Sequence, residues 1–97
     1  MSKPEGQVEF AVNQQASIFP NPTQGKVEIH LASEEAHQTT VQVFDMSGRL
    51  VQTVQAQHEP GSQVMQLDLS ALANGMYHLH VKFDNTLILT EKLSKSN

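Results

Sequence analysis

His78 and His80 are two residues apart, so on a β-strand their imidazoles leave from one face and are spaced to chelate a divalent metal. His30 would complete a three-histidine site if its strand lay beside theirs. No carboxylate stands at a spacing that supports the set, and solvated outer-face positions account for all three rings, so the sequence assigns no metal and no cofactor. Serine, histidine and aspartate are all present. No nucleophile elbow, phosphate-cradling glycine loop or paired-carboxylate arrangement gathers them, so no enzymatic activity is expected. Glu34 and Glu35 repel each other in a polar stretch and read as a solvated loop tip. Tyr77, the one tyrosine of a chain without tryptophan, shares the phase of Leu79, Val81 and Phe83. That places it in a core with its hydroxyl on a backbone partner, where it cannot serve as a stacking platform for sugars.

The elements that would position these residues must come from 97 residues, the size of one domain. Hydrophobic residues make up 38% and charged ones 16%, a globular balance. The net charge is -4, and the six Lys and Arg residues form no block, so the chain lacks the basic patch that displaces counterions from phosphates. Nucleic acid is therefore not an expected partner. The absence of cysteine excludes disulfides, thiolate nucleophiles and cysteine metal sites. No window approaches the roughly 20 apolar residues of a membrane helix, and no transmembrane segment is expected. A signal-peptide pattern is also missing, which leads to the expectation that the chain is a piece of a longer precursor whose start is elsewhere.

Along the chain, residues 1–16 mix Pro4 and Gly6 with polar residues around a short alternation at Val8, Phe10 and Val12; they read as a linker with a possible edge strand. Residues 17–97 read as the domain. Pro20 and Pro22 flank Asn21 and exclude helix, favouring a stiff extended segment. From Lys26 on, runs of period two recur between turn signals. Val27, Ile29 and Leu31 form one apolar face, Val41 and Val43 another, then Met65, Leu67 and Leu69, then Tyr77 to Phe83. Glu34 to Thr39 reads as a connection. Asp45-Met46-Ser47-Gly48 is a hairpin signal, because the aspartate bonds the backbone ahead of it and glycine supplies positive φ. Asp68 to Gly75 is too short for a stable helix and reads as a turn-like crossover ending at Asn74-Gly75. In the last run, Leu87, Leu89 and Leu93 share a face with Glu91, which calls for an opening to water or a bulge. The pattern predicts an all-β fold: a seven-stranded antiparallel β-sandwich of Ig-like proportions.

Three motifs and an ending then stand in order: Phe19-Pro20-Asn21-Pro22-Thr23-x-Gly25, Val43-Phe44-Asp45-Met46-Ser47-Gly48-Arg49-Leu50-Val51, Leu67-Asp68-Leu69-Ser70-x-Leu72-x-Asn74-Gly75-Met76-Tyr77, and Lys92-Leu93-x-Lys95. Together they resemble the C-terminal sorting domain of type IX (Por) secretion substrates of Bacteroidetes. The resemblance runs from about Phe19 to Lys95. It implies a C-terminal signal that follows a cargo domain in the same precursor, engages translocon and shuttle proteins in the periplasm, crosses the outer membrane, and is removed at the surface by a sortase cutting before Phe19. His78 and the final Ser96-Asn97 depart from the family pattern.

Terminal strands carry unpaired backbone groups, so a receptor could add a strand along Thr86, Ile88, Thr90, Lys92 and Leu93, with Lys92 and Lys95 supplying charge complementarity. Arg49 is a further candidate contact at a hairpin tip. Pro20, Asn21, Pro22, Asp45, Gly48, Asn74, Gly75 and Tyr77 are expected to serve the fold. The alternative function for such a sandwich is an adhesive or carbohydrate-binding module.

Overall fold

The computed structural model describes residues 15–96. They form seven strands: β1 (Gln15–Phe19), β2 (Lys26–Ser33), β3 (His37–Asp45), β4 (Leu50–His58), β5 (Gly61–Asp68), β6 (Gly75–Phe83) and β7 (Thr86–Lys95). One sheet has the order β1-β2-β5 and the other β4-β3-β6-β7, with every strand pair antiparallel. This is the expected β-sandwich.

The alternation read from the sequence becomes the contact between the sheets. Ile18, Val27, Ile29, Leu31, Leu67 and Leu69 face Val41, Val43, Leu79, Val81, Phe83 and Leu93 in one buried cluster. Each such side chain contributes about 1.5–3 kcal/mol by leaving water, and together they offset the ordering of the chain.

The structure departs from the sequence reading in four places. Gln15 and Ala16, expected in the linker, belong to β1 and pair with Ala32 and Leu31 of β2. The remainder of the expected linker, with Val8, Phe10 and Val12, lies outside the described residues. β3 begins at His37, inside the expected connection, because His37 and Thr39 continue the inward phase of Val41 and Val43 and are buried. Their polar chemistry concealed the period.

In β7, Leu89 pairs with Val81 but Leu87 pairs with Lys82, which leaves Ile88 as an extra residue. The bulge turns Ile88 inward at 5% exposure and Leu87 outward at 45%. Leu87 therefore does not share the face of Leu93.

The proline segment is not helical, but neither is it a straight extended run: the chain bends at Asn21 and Pro22, and the Phe19–Pro20 and Asn21–Pro22 peptide bonds are both cis.

Candidate recognition surface

Antiparallel strands divide the loops between two ends of the sandwich. One end receives the β1–β2, β3–β4 and β5–β6 connections and the last residues of β7. All four sequence motifs therefore meet there.

At the β3–β4 tip, Asp45 Oδ1 accepts bonds from the Ser47 N–H (2.9 Å), the Ser47 hydroxyl (2.6 Å) and the Arg49 N–H (3.0 Å). Its other oxygen pairs with Arg49 Nε at 3.3 Å. The Gly48 N–H closes the turn on the Asp45 carbonyl (3.0 Å) with φ of 88°. The Ser47 hydroxyl, then the Arg49 backbone, hold the Asp45 carboxyl below its ordinary range.

The β5–β6 crossover repeats this chemistry. The Ser70 N–H and hydroxyl both donate to Asp68 Oδ1, and the Ser70 hydroxyl is the main cause of the lowered Asp68 pKa. The Leu72 N–H bonds the Leu69 carbonyl at 3.0 Å, a single turn as expected. The Tyr77 hydroxyl donates to the Ala73 carbonyl and the ring is buried, so Tyr77 is a core residue with a backbone partner.

The proline segment spans the two sheets. The buried Thr23 hydroxyl donates to the Lys26 carbonyl (2.8 Å) and accepts from the Gly25 N–H (3.0 Å). The Gly25 carbonyl accepts from Leu69 N–H at 2.6 Å, with Ser70 against the glycine where a Cβ would stand.

On the other side, the Asn21 carboxamide donates to the Lys92 carbonyl (2.8 Å) and accepts from the Ser94 N–H (3.2 Å). The Thr23 N–H donates to the Ser94 carbonyl (2.9 Å), and the Thr23 carbonyl accepts from the Ser96 N–H (2.9 Å). Thr23 and Lys95 form a parallel bridge. The edge of β7 is thus already occupied from Lys92 to Ser96.

These facts redistribute the expected contact residues. Thr86, Thr90, Lys92 and Arg49 are exposed. Ile88, Leu93 and Lys95 are corrected from surface contacts to buried residues, at 5%, 0% and 2% exposure. Ile88 is turned in by the bulge, and Leu93 lies on the inward phase. Lys95 follows that phase too, and its ammonium donates to Asn74 Oδ1 at 3.3 Å.

Of the six exposed large hydrophobic side chains among the described residues, Phe19, Met46, Leu50 and Met76 are at the motif end; Val64 and Leu87 lie elsewhere. Sequence reasoning missed this clustering, since no single strand pattern carries it.

The histidines do not converge. His78 and His80 lie on the outer face of the four-stranded sheet, with Phe44 and Met46 beside them. His30 lies on the outer face of the other sheet, where its ring packs at a tilt of 36° against Phe19 (4.3 Å between centroids) and pairs with Glu28 (3.0 Å). Among the described residues no group of three or more His, Cys, Asp or Glu side chains could hold a metal ion.

The opposite end of the sandwich holds an unforeseen chain of polar residues. His37 Nδ1 bonds Asp84 Oδ2 at 2.8 Å, and Nε2 bonds Ser33 Oγ at 3.0 Å. The His37 ring stacks on Phe83 with centroids 4.4 Å apart. His37 lowers the Asp84 pKa, helped by the Gln38 N–H. The order of groups is that of a hydrolytic triad, but Ser33 is 2% exposed and its Oγ accepts the Glu35 N–H. A substrate carbonyl has no approach to it. The trio ties the β2–β3 and β6–β7 turns together.

Among curated proteins, none matches this sequence. A family model described as the secretion system C-terminal sorting domain matches residues 17–96, which contain all the motifs gathered at the one end. The chain accordingly belongs to the type IX secretion C-terminal sorting domains, signals that send a protein across the outer membrane to the cell surface or beyond it.

Proposed function

We propose that the secretion machinery reads the motif end of the folded sandwich as a surface, and that translocon and shuttle proteins and then a surface sortase are its successive partners. The carrying observation is the collection of Phe19, Met46, Leu50 and Met76, exposed apolar side chains, at the end where the motifs meet. Desolvating such side chains supplies most of the energy of a protein interface, while rim charges steer encounter. Arg49 and Lys92 are the rim charges here.

The domain contributes no chemistry of its own; its upstream neighbour in the precursor is the cargo. Sortase cleavage falls before β1, because Gln15 to Phe19 are paired to β2 and a protease needs an unpaired extended chain. A reporter fused to the Met46→Ser, Leu50→Ser variant in a type IX-competent bacterium tests the surface. Both side chains are exposed, so the thermal midpoint should stay within about 3 °C of the parent. Exported reporter should drop; export equal to that of the parent refutes the surface.

A further inference from the structure

The two edges of the four-stranded sheet are finished differently. Among the described residues no strand pairs with the outer edge of β4, whereas β7 is covered from Lys92 to Ser96 by Asn21 and Thr23. The cover imitates a strand. A carboxamide is chemically a peptide unit, and Asn21 uses its own to give one donor and one acceptor to successive outward groups of β7. A second, longer contact runs from Asn21 Nδ2 to Glu91 Oε2 at 3.4 Å. Thr23 continues with its backbone, parallel to β7.

The imitation is incomplete. Pro20 and Pro22 have no N–H, so the segment cannot build a main-chain ladder, and two of its four bonds to the β7 backbone come from a solvent-exposed side chain. An ordinary extended strand laid in the same direction would supply backbone groups at every position.

We propose that the β7 edge from Lys92 to Ser96 is a strand-docking surface held closed by Asn21 and Thr23, and that its occupant during export is an extended segment of the secretion machinery. That segment runs parallel to β7 and takes over the bonds of Asn21. The exchange starts at Asn21, whose side chain is exposed; Thr23 is buried and stays as the pivot. In the resting chain the cover prevents two copies from pairing edge to edge. The proposal rests on the sorting reading above and adds where, and in which direction, the partner adds its strand.

Two variants of the whole chain test it. Asn21→Ala removes the side-chain bonds and leaves the edge groups free. The Ser94 amide should then exchange with solvent about tenfold faster or more, with amides of the β6 core unchanged. A fused reporter should be exported at least as well as from the parent. Ser94→Pro removes the N–H that both the cover and an incoming strand use. That N–H points away from β6, so the internal ladder is kept, and proline is tolerated on such an edge. Its reporter should stay in the periplasm.

Unchanged Ser94 exchange in Asn21→Ala overturns the closed edge. Loss of export by a folded Asn21→Ala chain also overturns the proposal, since the asparagine would then be what is recognised. So does normal export of Ser94→Pro. If Ser94→Pro does not fold, the two Asn21→Ala readouts decide the matter. Failure of the parent fusion itself to be exported counts against the sorting reading and leaves the exchange result standing.

Discussion

Gly25→Ala is expected to be among the most damaging single-methyl additions to this domain. Gly25 has φ of +147°, a region that side chains other than glycine rarely enter, and holding alanine there costs about 1–3 kcal/mol. A Cβ at this position would stand 2.9 Å from Ser70 Oγ and 3.4 Å from Ser70 Cα. The hydroxyl cannot swing aside freely, because it is bonded to Asp68. Crowding of this kind adds about 1–3 kcal/mol.

The combined loss is about 2–6 kcal/mol, a large part of the total stability of a domain this size. It corresponds to a fall in thermal midpoint on the order of 15 °C, read by circular dichroism. Ser70→Ala removes the nearest atom and leaves Ser70 Cα at 3.4 Å and its Cβ at 3.6 Å. The double variant should therefore recover about 1 kcal/mol relative to additivity, with the φ strain remaining. A Gly25→Ala chain within about 0.5 kcal/mol of the parent would refute the reasoning that the glycine is required by the junction of two motifs.

Leu79→Ala, at a fully buried site, should cost about 2–5 kcal/mol in urea unfolding; a loss under about 1 kcal/mol would mean that the sheets do not close on this residue. Lys95→Ala should destabilise through lost packing of its buried stem by about 1–2 kcal/mol, while Lys92→Ala stays near neutral; equal effects would contradict the inward turn of Lys95. Asp45, Asp68 and Asp84 all have lowered folded-state pKa values, so their contribution is full above the unfolded carboxylate value and fades as pH falls through the folded ones. Thermal midpoints should therefore be flat near neutrality and drop below about pH 4, with the drop reduced in the triple Asp→Asn variant. An undiminished acid slope in that variant would rule these groups out.

Most of the fold was legible because its core strands alternate cleanly. Val27 to Leu31 and Tyr77 to Phe83 put apolar side chains on one face at period two, and Asp45 to Gly48 announces its hairpin. What escaped notice has a common cause: polar residues standing at inward positions. His37 and Lys95 are buried with partners distant in sequence, Asp84 and Asn74, while Ser33 and Thr39 simply continue the inward phase of their strands, and a single-sequence alternation of apolar letters reveals neither.

The bulge at Ile88 escaped for a related reason. Leu87, Ile88 and Leu89 are all apolar, so either phase fits the letters, and only pairing with β6 chooses one. The motif end was legible as four separate motifs but not as one surface. Their meeting depends on strand direction, and the closure of the β7 edge by Asn21 joins residues more than 70 positions apart.

The central claim is that the folded sandwich is itself an export address, and the most direct measurement is the location of a reporter protein fused upstream of the whole chain in a type IX-competent bacterium. Surface or medium localisation is expected for the parent, with periplasmic retention when Val41→Asp breaks the core and leaves every motif intact. A reporter held in the periplasm by the parent chain, or delivered outside by the Val41→Asp chain once shown to be unfolded, would contradict it.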